Sequence, residues 1–272
     1  MTVKYLCPFW GMEGLSADEF IDKVLKYEYD GIEINIPNDS DFENKLLSRI
    51  KDENLIFVAQ QWLSPKLETV NEYIVRLEDL LLKRASLNPD FINSHTGKDY
   101  FSFEDNCRII EKCFEISKRT GVEIIHETHR GRFNYSAKKT VDFLKQYPDL
   151  KLTADFSHWV TVSESFLEDQ MDDVQTAVKK CYYIHARVGY TQSPQINNPF
   201  APENKEALEI FTNWWKSILQ DAKIRGQKEF YICPEFGPKP YMPYLPFKNV
   251  PIENQWNLNK QMMLYLKNID LS

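Results

Sequence analysis

No C-x-x-C pair occurs in this sequence. Its five cysteines, Cys7, Cys107, Cys113, Cys181 and Cys233, are odd in number and scattered, mostly in apolar stretches. Cysteine in such places acts as a small hydrophobe, so a disulfide framework is not expected and a reducing, cytoplasmic setting is. A signal-peptide pattern is missing too: the first apolar stretch is short and Glu13 interrupts it. No run approaches the length of a membrane span, so no membrane partner is expected. There is no long basic run, and 33 Lys and Arg against 40 Asp and Glu leave a formal charge of -7. Proteins that grip nucleic acid through phosphates usually carry a basic stripe, so no nucleic-acid partner is expected. No G-x-G-x-x-G follows the first strand, which removes support for a dinucleotide site.

What is present is an alternation. Hydrophobics make up 43% of the 272 residues, enough for a sizeable core. Short apolar runs at Val3–Phe9, Ile32–Ile36, Leu55–Trp62, Phe91–His95, Ile124 onward, Lys151–Asp155, Tyr182–Arg187 and Phe230–Glu235 read as strands. Between them lie helical patterns. Ser16 and Glu19 form a capping box ahead of a stripe of Phe20, Ile21, Val24 and Leu25. Further helices are expected over about 42–51, 67–86, from 103, from 137, 165–179, 206–225 and 253–267. Eight βα units imply a parallel sheet with helices outside. Ligand residues at many strand ends favour a closed (β/α)8 TIM barrel over an open sheet. One domain over 1–272 is expected. The loops 189–204 and 236–254 are long, Pro-rich and aromatic, suited either to function or to packing under their neighbours.

The strand ends carry the chemistry. Ile124–Arg132 reads I-I-H-E-T-H-R-G-R, followed by K-L-T-A-D-F-S-H-W, Y-Y-I-H-A-R and F-Y-I-C-P-E-F-G. Period-2 alternation puts Glu127 with His129, Thr153 with Asp155, His185 with Arg187, and Cys233 with Glu235 on shared faces. In a closed barrel Glu127, Asp155, His185 and Glu235 converge at the mouth. Three carboxylates and an imidazole suit one divalent ion, Mn²⁺ first, with Co²⁺, Mg²⁺ or Zn²⁺ as alternatives. Each residue alone would more often be an isolated polar group; it is the matching position on four successive strands that points to a metal. His158 follows Asp155 by three and is placed to bind metal or substrate, or to serve as a loop histidine. His95 is either a substrate ligand, acid or base, or a hydrogen-bonded core histidine. Glu33, buried by pattern, is expected to hold an Arg or Lys inside the barrel. Arg130, Arg132 and Arg187 can clamp a carboxylate, a phosphate or hydroxyls, or pair with nearby acids. Trp10, Gln60 and Trp62 form either a substrate wall or packing.

With the strand-end Glu, D-x-x-H, His and Glu in view, the whole chain resembles the xylose isomerase-like TIM-barrel superfamily of sugar isomerases, epimerases and endonuclease IV. The phrases H-E-T-H-R-G-R, D-F-S-H-W and H-A-R-V-G-Y resemble its putative sugar isomerase branch. The resemblance implies Glu127, Asp155, His185 and Glu235 as metal ligands, with His158 beside the substrate. Two departures stand out. Where ketose 3-epimerases have a further glutamate past the first ligand, this chain reads Arg132-Phe133, and Arg187 is the only arginine near the metal histidine. The D-x-H that endonuclease IV needs after strand seven is missing, since His185 is the last histidine.

The expected activity is a metal-dependent isomerase or epimerase of a sugar or polyol ketone acting through an enediolate. Glu127 and Glu235 are the expected proton-transfer pair, and His158, His95, Arg187, His129 and Trp62 the expected substrate contacts. A 3-keto-glycoside lyase and a non-catalytic sugar-binding barrel are the alternatives; an abasic-site endonuclease is disfavoured. A small sugar or polyol is the expected partner, and homo-oligomerisation is left open.

Overall fold

The computed structural model describes residues 1–269, so the last three of the expected 1–272 span lie outside the described residues. Its strands are β1 (Thr2–Pro8), β2 (Gly31–Ile34), β3 (Ile56–Gln61), β4 (Phe91–Ser94), β5 (Ile124–Glu127), β6 (Leu152–Ala154), β7 (Cys181–His185) and β8 (Glu229–Cys233). They form a closed parallel barrel in sequence order. Closure comes from β1 against β8, with Thr2 through Tyr5 opposite Glu229 through Ile232. The helices α1 (Ala17–Lys26), α2 (Ser40–Asp52), α3 (Val70–Ala85), α4 (Phe103–Thr120), α5 (Ala137–Gln146), α6 (Ser157–Ser163), α7 (Met171–Val178), α8 (Lys205–Ile224) and α9 (Gln255–Asn268) complete the layer outside. This is the expected (β/α)8 architecture. Among the described residues no helix is long and apolar enough to cross a membrane.

The helices form for local reasons and dock for apolar ones. The Ser16–Glu19 capping box is made on both sides, and Phe20, Ile21 and Val24 are buried. Leu25, expected in that stripe, is 36% exposed, because it sits at the edge of the docking face. The region after β6 departs most from expectation. A helix over 165–179 is replaced by α6 and a shorter α7. The S-H-W-V-T-V-S segment is rich in β-branched residues and a weak helix former. It is held by burial: Trp159 stacks on Phe156 at 4.5 Å and donates to Asn134 O at 2.8 Å. The chain then takes left-handed conformations at Glu164 and Leu167, so the next helix starts only at Met171. The loop after β8, expected without secondary structure, contains a small antiparallel pair, β9 (Tyr244–Leu245) with β10 (Val250–Pro251).

Inside the barrel the side chains are layered. Leu6, Val58, Phe91, Ile125, Tyr183 and Cys233 make an apolar plug. Two residues further along β4, β5 and β7, on the same inward face, the plug gives way to Asn93, Glu127 and His185. The barrel is thus dry below and charged above.

Gly31 marks the tightest strand contact. It pairs with Leu6 and Ile56, and a Cβ there would lie 2.2 Å from Ile56 O. That obstacle is backbone and cannot rotate aside. Gly31→Ala is expected to lower stability by about 1–3 kcal/mol, the usual cost of overpacking, with the circular dichroism of the native barrel retained. Urea unfolding checks this, and an unchanged midpoint would contradict the β2–β3 packing.

Candidate metal centre and pocket

Glu127 ends β5 and His185 ends β7; Asp155 and Glu235 lie one and two residues past β6 and β8. Barrel closure brings one ligand atom from each within 4.8 Å of all the others, and all four residues are buried. The four expected metal ligands are therefore together.

The surroundings of His185 show what the cluster requires. Its Nε2 lies 2.8 Å from Glu33 Oε2. Its Nδ1 lies 2.9 Å from Glu235 and 3.6 Å from Glu127, but off hydrogen-bond geometry, so that nitrogen has no hydrogen-bond partner. Burial disfavours the imidazolium, yet the carboxylates of Glu235, Glu33 and Glu127 overcome it and raise the pKa well above the ordinary histidine value. A proton on His185 is the cation these carboxylates hold in the absence of another. A divalent ion bound to neutral imidazole supplies that charge in its place. The residues present thus fit a divalent cation held by Glu127, Asp155, His185 and Glu235.

Glu33 was expected to hold an Arg or Lys; it pairs with His185 instead. It orients His185, and it also accepts from the Tyr183 hydroxyl and from Asn93 Nδ2 at 2.8 Å. A carboxylate behind a ligand histidine fixes its tautomer and ring angle. Asn93, not singled out from sequence, reaches Glu127 Oε2 at 2.8 Å as well and accepts from Thr153 Oγ1 at 2.8 Å. The F-I-N-S run of β4 puts Asn93 on the inward face with Phe91, which is the signal that was available.

Arg187 is fully committed. It pairs with Asp155, approaches Glu235 Oε2 at 3.6 Å and lies 3.0 Å from His158 Nε2. Burial pushes the Asp155 carboxyl up to about 6 even with Arg187 beside it. Burial also works against Glu235, but His185 and Arg187 hold it down at about 2.

A cavity of about 500 Å³ opens above the cluster, lined by Trp10, Trp62, His95, Glu127, His129, Arg187, Glu235 and Tyr241, among others. That suits a small organic ligand. Of the expected substrate contacts, His95, His129, Arg187 and Trp62 line it. His158 does not: it is fully buried, its ring 3.7 Å from that of His129. Burial first, then the neighbouring Arg132, keeps His95 well below the ordinary histidine pKa; burial and His95 do the same for His129. Both are neutral at neutral pH. Tyr241 comes from the loop after β8, packs edge-on against Trp10 at 5.0 Å and sits 4.7 Å over the Arg187 guanidinium. No periodic pattern marks it in sequence, only the aromatic character of its loop. Gly237 leaves room for Trp10, whose ring would lie 2.1 Å from an added Cβ.

The family model described as xylose isomerase-like TIM barrel matches residues 21–226. The chain belongs to this family. No curated protein matches it in sequence. Among solved structures, this xylose isomerase-like barrel is similar to D-allulose 3-epimerase from Methylomonas sp. in complex with D-allulose, with TM-score 0.66, 16% identity, and 98% of this chain and 96% of that one covered. It is also similar to the probable 3-DHS dehydratase AsbF from Bacillus anthracis, with TM-score 0.64, 16% identity and 99% and 100% coverage. A third is 3-keto-D-glucoside 4-epimerase from E. coli, with TM-score 0.63, 10% identity and 98% and 100% coverage. At these identities the likeness is one of fold.

Two outcomes are expected from the Glu33–His185 geometry. Glu33→Gln should keep the fold and weaken divalent-metal affinity roughly 10–100-fold, the scale of losing a carboxylate behind a ligand histidine; competition with a chelator measures it. Binding to the wild type should release on the order of one proton at neutral pH, because His185 must become neutral. Calorimetry in buffers of differing ionisation enthalpy reads that proton, and its absence would mean the imidazole does not bind.

Proposed function

We propose that this protein is a metal-dependent isomerase or epimerase of a small sugar or polyol ketone, and that the substrate occupies the cavity above Glu127, Asp155, His185 and Glu235. The observation that carries this reading is the placement of two carboxylates, Glu127 and Glu235, on the cavity wall and within 3.6 Å of His185 Nδ1. Likeness in fold to two sugar epimerases supports the substrate class.

A bound divalent cation, with Mn²⁺ suited to three carboxylates and an imidazole, supplies Lewis acidity toward a carbonyl and its neighbouring hydroxyl. The rest belongs to the chain. Glu127 removes a proton from carbon on one side and Glu235 returns one on the other, with the substrate passing through an enediolate. Asn93 holds Glu127 in place, and Arg187 does so for Asp155 and Glu235. Neutral His95, whose Nε2 lies 2.9 Å from Glu127 Oε2, is placed to relay a proton to or from a substrate hydroxyl. Trp10, Trp62 and Tyr241 supply apolar faces against which a sugar ring packs. Elimination of an alcohol from the adjacent carbon, as in a 3-keto-glycoside lyase, is the second reading. It uses the same first proton removal, and the glutamate that took the proton passes it to the departing oxygen.

Glu127→Gln and Glu235→Gln keep a carbonyl oxygen for coordination and lose the base. Each should retain at least part of its metal while turnover falls by roughly 10²–10⁴-fold, checked by elemental analysis beside activity on a panel of ketoses. In D₂O the wild type should place deuterium on the substrate carbon. Wild-type rates in both variants would rule out these two glutamates as the proton-transfer pair.

A further inference from the structure

Among the described residues four cationic side chains are buried, Arg84, Lys98, Arg132 and Arg187, and they differ in their partners. Arg187 has Asp155, and Arg84 donates to Asn35 Oδ1 at 2.7 Å and to Ile36 O. Arg132 is 5% exposed, and its Nε and Nη1 are buried with no hydrogen-bond partner. Among the described residues it makes no ion pair. Lys98, 8% exposed, makes none either, and its amino group sits 6.0 Å from the Tyr73 ring centre. An unpaired buried charge costs several kcal/mol, so a folded protein retains one where something charged arrives to meet it.

The two cations sit on the neighbouring loops after β4 and β5, and neither lines the cavity itself. Each follows a cavity histidine by three residues: Lys98 follows His95 and Arg132 follows His129, and the two imidazoles are 4.6 Å apart. The loops that carry them are tied, Phe133 N donating to Thr96 O at 3.3 Å. Lys98 is held by its backbone, which donates to Asn106 Oδ1 at 3.2 Å and accepts from Asn106 Nδ2 at 2.8 Å, leaving its amino group free to serve a ligand. Nearby carboxylates do not answer the charge: Glu68 is taken by Arg76, Asp99 lies outside ion-pair range of both, and Glu127 belongs to the metal cluster. Burial, and then the proximity of Arg132, lowers the Lys98 pKa, against the opposing pull of Glu68 and Asp99.

We infer that Arg132 and Lys98 form an anion subsite beside the His95–His129 wall of the cavity, which receives a carboxylate or phosphate group carried by the substrate. This rests on the reading that the cavity is the substrate site. It narrows the substrate to an acidic sugar, a sugar acid or a sugar phosphate. Arg132 presents the planar fork that matches both oxyanions, and Lys98 adds a point charge.

The test is binding, so that it stands apart from catalysis. Inorganic phosphate and D-gluconate are titrated into wild-type protein in the presence of EDTA, with thermal stability as readout, and into Arg132→Met and Lys98→Met. Phosphate or gluconate should raise the wild-type Tm. Each variant should need roughly tenfold or more of the same anion for an equal shift, the scale of a lost charge-assisted hydrogen bond. Preference for phosphate over gluconate assigns a sugar phosphate, and the reverse a sugar acid. Without anion, Arg132→Met should be as stable as the wild type or more so, because it removes an unpaired charge. A large loss of stability there would reveal a structural partner and overturn the subsite. So would an anion response absent from the wild type, or unchanged in both variants. If the anion response is lost in the variants while Glu127→Gln and Glu235→Gln turn over normally, the subsite stands and the proton-transfer reading fails.

Discussion

Three carboxylates around one buried imidazole set the terms for the upper half of this barrel. Glu33, Glu127 and Glu235 all lie within 3.6 Å of a ring nitrogen of His185, and all four side chains are buried. Such a group of anions is tolerable only with positive charge at its centre. A proton on His185 supplies one unit of that charge, and a divalent ion supplies two. The same requirement explains Arg187, whose guanidinium lies against Asp155 and Glu235 and so limits their repulsion.

That arrangement depends on the layer beneath it. The apolar plug of Leu6, Val58, Phe91, Ile125, Tyr183 and Cys233 closes the barrel floor and keeps the polar groups above it out of bulk water. Tyr183 belongs to both layers: its ring packs edge-on against Phe91 at 5.2 Å, while its hydroxyl donates to Glu33. Low dielectric strengthens each interaction in the network and raises the penalty for any unmatched group. The cluster of Glu127, His185 and Glu235 is held in place for that reason, with Asn93 and Glu33 hydrogen-bonded into the same network.

The loop end of the barrel carries charge of both signs. The carboxylate cluster draws cations to the axis, whereas the β4 and β5 loops carry unpaired positive charge in Lys98 and Arg132. His95 and His129, each three residues before one of those cations, are kept neutral by burial with Arg132 nearby. A ligand with an oxyanion at one end and vicinal oxygens at the other matches that arrangement.

Much of this was legible in the sequence. The strand-and-helix alternation follows from local periodicity, which the barrel does not override, and the four expected ligands follow from period-2 alternation carried to the ends of four strands. Leu25 and the helix after β6 were misread because edge exposure and the burial of Trp159 are tertiary facts that outweigh a local pattern. Partners within the site were not legible either. Glu33 and His185 are 152 positions apart; only closure of β1 on β8 and the stagger between strands decide that they meet, and that Glu33 takes a histidine and not an arginine. His158 turns away from the cavity because α6 begins at Ser157. Tyr241 enters it because the path of its loop, which no pattern encodes, ends over Arg187. Sequence by itself thus determined which side chains face the barrel interior, since alternation is a property of each strand alone. Tertiary structure decided which of them touch, since contact depends on the register between strands and on where the loops return.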